Sequence, residues 1–210
     1  MTGQFSPAFR EELAALMRWR RDVRRFRTDP VPEGLLARGL QAFALAPSVG
    51  LSEPWRILRI DSPARRAACL QNYRDCNAQA LATQTDDRAA TYARLKLSGM
   101  AEAPVHLAIF SDDSTPKGHG LGAATMPETR AYSVVGAIIH LWLALRAEGL
   151  GLGWVSILDR DRLMRDLDVP ANWRFIGYLC IGWPEEDDTV PELERAGWET
   201  RSPTLHLETR

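Results

Sequence analysis

The sequence predicts one domain of α+β or α/β class around a single mixed sheet, and three observations predict it. Helical periodicity comes first along the chain, and strands then alternate with helices. A length of 210 residues suits one core, because cores usually stop growing at about 250 to 300 residues. No internal repeat or linker divides the chain, so residues 1–210 read as one domain.

The elements follow in order. Ser6-Pro7 reads as a helix N-cap with proline at the first helical position, and Phe9, Leu13, Leu16 and Met17 then recur at helical spacing to about Arg21. Pro30 and Pro32 break the chain. Glu33 to Ala44 forms a second helix carrying Leu35, Leu36, Leu40 and Phe43, and it runs into the loop APSVGLSEPW. Trp55 to Ile60 is a short strand, and Ser62-Pro63 opens another helix. Residues 76–101 are polar, alanine-rich and weakly periodic, a broken helical excursion. Val105 to Phe110 is a compact apolar strand, followed by a loop, SDDSTPKGHGLGAATMPE, of a length that is either mobile or functional.

Thr129 to Glu148 is the longest helix, ended by Gly149. Its middle, SVVGAIIHLWLALRA, is apolar on nearly every side, so it requires burial all round. A subunit interface provides that most easily; a central core helix in a monomer is the alternative. Leu152 to Ile157 and Phe175 to Gly182 are strands, with a short helix at Asp159 to Leu167 between them. Residues 184–210 hold three prolines and too few apolar groups to pack alone, which predicts a tail wrapping the partner subunit.

Composition excludes several classes. Hydrophobic residues make up 45% and charged ones 25%, and the formal net charge is -1, so no global basic field recruits nucleic acid or anionic lipid. Cys69, Cys76 and Cys180 form no CxxC pair, which points to a reducing cytoplasm. The start has no apolar signal region. The most apolar stretch, Ser133 to Leu145, falls short of the roughly 20 residues that span a bilayer. His106, His119, His140 and His206 lie far apart without metal-ligand spacing, and His140 reads as a satisfied core histidine. Neither a GxSxG elbow nor a P-loop is present. Gly149, Gly151 and Gly153 follow a helix and lead into a strand, the reverse of a dinucleotide fingerprint. Gly149 is read as a C-cap, and the other two as letting backbone approach closely.

The charge distribution is uneven. Residues 18–27, RWRRDVRRFR, hold six arginines, and residues 184–200 hold seven acids. Arg20 and Arg24, like Arg21 and Arg25, would share helix faces if the first helix continued. Converging guanidiniums suit a phosphate, each offering a planar fork of donors; a solvated basic face is the bland alternative. Asp22 inside the cluster either balances charge or is a carboxylate aimed into a pocket, able to accept a proton.

Three segments together resemble the nitroreductase-like flavoproteins. RRDVRRF at 20–26 resembles their opening flavin signature, APSVGLSEPWR at 46–56 their second, and GLGLGWVSI at 149–157 their third. Within that family the chain is most similar to the 5,6-dimethylbenzimidazole synthase branch. Aspartate stands at position 22 where relatives usually carry serine, MPET at 126–129 precedes the long helix, and WVSILD at 154–159, YLCIGWPEE at 178–186 and a GW-x-x-R tail at 197–201 also match. Glu53 stands where many ordinary nitroreductases have glutamine.

The resemblance covers about Phe5 to Pro203 and implies an α+β nitroreductase-like fold: a mixed, mainly antiparallel sheet flanked by helices, in a domain-swapped homodimer with two FMN sites at the interface. It implies that reduced FMN is the substrate, fragmented with dioxygen to 5,6-dimethylbenzimidazole, the lower ligand of vitamin B12, and erythrose 4-phosphate. A separate flavin reductase would supply the electrons. By the same resemblance, Arg20, Arg21 and Arg24, with Arg201, would hold the phosphate and ribityl end, and Val23 would lie among them. Pro47, Ser48, Val49, Gly50 and Leu51 would line the ring, with Met126, Lys96 and Leu97 closing the pocket. Asp22 and Ser156 would be catalytic, Asp22 moving a proton near the ribityl chain and Ser156 bonding the reactive edge of the flavin. A hydroxyl capping the next helix is the other reading of Ser156. The competing functions are an NAD(P)H-dependent FMN reductase of nitro compounds or quinones, and a non-catalytic FMN-binding protein.

Overall fold

The computed structural model describes residues 3–84, 86–95 and 98–210. Ser6 accepts a hydrogen bond from the Phe9 N–H at 3.1 Å, and α1 (Pro7–Trp19) starts on Pro7 as the sequence predicts. After an extended segment come α2 (Glu33–Ala44), a single 3-10 turn at Val49–Leu51 and β1 (Trp55–Arg59). Ser62 caps α3 (Pro63–Ala82), which is followed by α4 (Asp86–Arg94) and the short α5 (Gly99–Glu102), the broken helical excursion. Then follow β2 (Val105–Asp112), α6 (Thr129–Ala147), β3 (Gly151–Val155), α7 (Arg160–Asp166), β4 (Trp173–Gly182) and α8 (Glu192–Arg195). None of the described helices is long and apolar enough to cross a membrane.

The sheet order is β1-β2-β4-β3, with every neighbouring pair antiparallel. One parallel bridge, Asp22 to Leu152, lays the arginine segment along the outer edge of β3 and supplies the mixed character. All eight residues of β2 are buried, which explains why it is so apolar. Side chains alternate between two cores, as the period of a strand requires. Leu107, Ile109, Leu179 and Ile181 face α2 and α6. Ala108, Phe110, Tyr178 and Cys180 face the side occupied by α3, α5 and α7. Ile138, Leu141 and Leu145 of α6 are fully enclosed and contribute about 2 kcal/mol each.

Several sequence expectations change here. The first helix stops at Trp19, and Arg20 is already extended (φ -65°, ψ 114°), so the arginines are not on a helical face. Pairing with β3 takes the segment instead: the Val23 N–H donates to Leu152 O at 3.1 Å. Nor is α6 buried all round within one chain. Val134, Ala137, Ile138 and Leu141 pack inward, while Tyr132, Val135 and Ile139 form an exposed stripe on the opposite side. His140 lies on that outer side and is not a core histidine. The core histidine is His106, 1% exposed, with Nδ1 2.8 Å from the Tyr178 hydroxyl and Nε2 3.0 Å from Ala103 O. Burial lowers its pKa to about 4, helped by nearby Arg66.

The first half of the tail lies on its own chain. Pro184 bridges Phe26, Arg25 pairs with Glu192 at 3.2 Å, and the Trp198 ring lies 6.0 Å from that of Tyr92. Residues 202–210 are exposed throughout.

Candidate functional site

The geometry begins with two glycines. A Cβ on Gly153 would lie 2.2 Å from the Val23 carbonyl oxygen, and one on Gly151 would lie 2.7 Å from Val23 Cγ2. Only glycine at both positions lets segment 22–23 approach β3, the close backbone approach expected from the sequence. That contact delivers Asp22: its Oδ1 accepts the Trp154 N–H at 2.9 Å, while Oδ2 is 3.9 Å from Arg24 Nε. Asp22 therefore does more than balance charge. Its main contact is a backbone donor.

Asp22 and Arg24 stand on a wall shared by two cavities. The first is a shallow cleft lined by Arg21, Val23, Arg25 and Arg195 together with Glu186, Asp188 and Glu192, which pair with Arg25 and Arg195. The second, about 660 Å³, is more apolar and aromatic: Tyr73, Tyr92, Leu95, Trp154, Val155, Ile157, Leu193 and Trp198 enclose it, with Asn77 and Ser156 as polar groups. A lining that is mostly apolar with a few convergent polar groups suits a ring-bearing ligand. Asp22 leaves 40% of its side chain open to this space. Protein crowds its remaining sides, and that withdrawal from water pushes its carboxyl above the usual range, against the pull of the Trp154 N–H, Arg24 and Arg20.

Cations converge on the other side. The Arg21 guanidinium is lowered in pKa, first by partial burial and then by Arg201 and Arg20 beside it. Its Nε donates to Thr189 O at 2.7 Å, tying it to the tail. Arg20 stacks 4.7 Å above the Trp142 ring, and Arg201 reaches Glu194 only at 3.7 Å. Guanidiniums close enough to repel favour an anion among them.

Ser156 opens into the aromatic cavity and does not cap the following helix. Asp159 does that, accepting the Arg162 N–H at 2.9 Å. The structure thus brings Arg20, Arg21, Asp22, Val23, Arg24, Ser156 and Arg201 to one end of the sheet. Pro47, Ser48, Val49, Gly50 and Leu51 lie elsewhere, ahead of β1 at the far edge, three strand spacings or about 14 Å across the sheet. There the Val49 N–H donates to Ser133 Oγ at the start of α6, whereas Arg20 stacks near its end. Met126 belongs to the loop packed on that far segment, where Gly50 sits against Gly118 and Leu121 and Lys117 pairs with Glu53. Lys96 and Leu97 lie outside the described residues.

Sequence reasoning missed Tyr73, Asn77, Tyr92, Leu193 and Trp198. Tyr73 and Asn77 sit on the weakly periodic α3 and Tyr92 on the polar α4, where nothing marks a side chain as facing a cavity. Trp198 had a signal, since it belongs to the GW-x-x-R tail from which only the arginine was taken.

Comparison with known proteins agrees with this architecture. Residues 17–183 match the Nitroreductase family. The chain is 58% identical over 199 residues to the 5,6-dimethylbenzimidazole synthase of Rhodospirillum rubrum, covering 95% of this chain and 94% of that one. It is 47% identical over 200 residues to the 5,6-dimethylbenzimidazole synthase of Rhodobacter capsulatus, with 95% and 97% covered. Among solved structures, oxidized iodotyrosine deiodinase bound to FMN and 3-iodo-L-tyrosine has a TM-score of 0.69 at 22% identity, covering 94% of this chain and 97% of that one. That last likeness is one of fold.

Proposed function

The chain belongs to the nitroreductase family, and from that premise we propose that it is an enzyme of 5,6-dimethylbenzimidazole synthesis that binds reduced FMN as its substrate and uses dioxygen. FMN supplies the electrons for the reaction with dioxygen and the ring atoms of the product; the chain binds, orients and moves protons. Three features of the residues fit that group. Arg21 lies within the field of both Arg20 and Arg201, which favours an anion such as a phosphate there, the aromatic cavity accommodates a ring, and the glycine contact sets Asp22 beside that cavity.

Asp22 is the observation that carries the reading. Its Oδ1 is anchored by a backbone N–H, which leaves Oδ2 as the proton-accepting atom beside the ribityl chain. Crowding on its other sides raises its pKa, which strengthens this carboxylate as a base. Ser156 offers a hydroxyl to the flavin edge from the same cavity wall.

The reading includes a homodimer. Pro47–Leu51 are out of reach of Asp22 within one chain, so a second copy would bring them to the ring. The exposed stripe Tyr132, Val135 and Ile139 on α6 would be covered in that assembly, as would Phe9 and Met17 on α1, none of whose residues is buried, and Phe5 just before it. Residues 202–210 would extend onto the second copy. A separate flavin reductase in the same cytoplasm would deliver reduced FMN.

The test is a single turnover. Protein loaded with reduced FMN under anaerobic conditions is exposed to air, and the products are separated by chromatography with mass detection. A 5,6-dimethylbenzimidazole peak absent from a protein-free control is expected, with Asp22→Asn binding FMN as the wild type does yet yielding no product. Plain reoxidation to intact FMN by the wild type overturns the reading, and equal yield from Asp22→Asn removes Asp22 from it.

A further inference from the structure

Arg146, in the last turn of α6, is 2% exposed. Withdrawing a guanidinium from water costs several kcal/mol unless partners replace the water, and here Nε has no hydrogen-bond partner. What Arg146 does have is a contact to two distant stretches of chain and to the turn that follows its own helix. Its guanidinium carbon lies 3.4 Å from the centroid of the Trp19 ring, Nη1 donates to Gly149 O at 3.5 Å, and Nη2 pairs with Asp187.

Each of those stretches leads into the cationic half of the site. Trp19 is followed directly by Arg20 and Arg21. Gly149 opens the turn into β3, on which Asp22 is held. Asp187 precedes Thr189, whose carbonyl accepts from Arg21, and the same segment runs on to Arg201. Arg146 is not among the residues lining either cavity. An ion pair to Asp187 alone, half in solvent, would be worth little. Stacking on Trp19 adds a direction that a lysine cannot reproduce.

We propose that Arg146 is a positioning residue for the flavin phosphate: it never touches the ligand, but sets the spacing of Arg20, Arg21 and Arg201 around it. This rests on the FMN reading above. Arg21 is repelled by both Arg20 and Arg201, so a clamp behind the segments that carry them opposes their drifting apart. The expected signature is selective. Loosening the clamp weakens binding of a flavin that carries a phosphate and leaves the same ring without one untouched.

The experiment titrates FMN and riboflavin, by quenching of flavin fluorescence, into wild type, Arg146→Lys and Asp187→Asn. The wild type should prefer FMN. In Arg146→Lys that preference should fall by about tenfold, the equivalent of one charge-assisted hydrogen bond, with riboflavin affinity unchanged. Asp187→Asn, which breaks the ion pair without opening a cavity, should move the ratio the same way by less. A general loss of stability would weaken both flavins together, and that result overturns the proposal, as does an unchanged ratio. If Arg146→Lys fails to fold, Asp187→Asn decides by the same criterion. A wild type that binds both flavins equally refutes the phosphate assignment itself, and the proposal with it.

Discussion

Replacing Gly153 by alanine tests the contact on which the whole site depends. The new Cβ would stand 2.2 Å from the Val23 carbonyl oxygen, where ordinary contact begins at 3.4 Å, so segment 22–23 must retreat from β3 by about 1.2 Å. The obstacle is backbone on both sides, and no rotamer change relieves it. Retreat breaks the Val23 N–H bond to Leu152 O and the Trp154 N–H bond to Asp22. One is a neutral hydrogen bond and the other goes to a charged acceptor, which together make a loss of about 3 kcal/mol. In a domain of this size that lowers Tm by about 6 to 12 °C. The catalytic cost is larger in proportion, because a displacement of about 1 Å in a reacting group reduces rate on the order of a hundredfold. Thermal unfolding followed by circular dichroism reads the first effect, and the rate of 5,6-dimethylbenzimidazole formation in a single turnover reads the second. Gly34→Ala is the control: its Cβ meets nothing closer than Arg38 at 3.7 Å, and alanine there should be neutral or stabilising by up to about 1 kcal/mol. A Gly153→Ala protein with wild-type Tm and wild-type product rate would refute the argument that this glycine places Asp22.

Two further outcomes follow from the fold. His106 has a folded pKa of about 4 against 6.5 in the open chain, so between those values the unfolded state binds the extra proton and stability rises with pH. The contribution, about 3 kcal/mol, is complete above the higher value and is lost as pH falls toward the lower one. Urea midpoints across that window should show it, and His106→Gln should flatten it; a flat wild-type profile would contradict the burial argument. Ile139→Glu places a charge on the exposed α6 stripe, where one chain tolerates it but a covered interface pays several kcal/mol in desolvation. Sedimentation should show a monomer that has lost flavin binding, and a dimer that persists, or a monomer that binds flavin normally, would refute the proposed assembly.

Much of this protein was legible from residue order alone. Ser6-Pro7, Ser62-Pro63 and Gly149 mark helix ends through local hydrogen bonding and backbone freedom, and the structure caps helices at both serines and turns left-handed at Gly149, one residue past the Glu148 cap of α6. The apolar run at 105–110 lies in the central buried strand, and Gly151 and Gly153 serve the close approach expected of them. These signals are local, set by a residue and its near neighbours. What spacing left open was decided by partners distant in sequence. RWRRDVRRFR carries helical i,i+4 pairs, yet the open edge of β3 takes the Val23 N–H, and its Trp154 N–H finds an acceptor in Asp22, so the segment leaves α1 and becomes an edge. The apolar middle of α6 announced burial without saying by what, and the fold covers one side and leaves Tyr132, Val135 and Ile139 open. Composition could not tell His106 from His140, because a histidine is made a core residue by the Tyr178 hydroxyl and the Ala103 carbonyl that meet its ring. The same holds for the site. Motifs named Asp22, Ser156 and Pro47–Leu51 together, but only the sheet, four strands wide, determines that the first two share a wall and the third stands at the opposite edge.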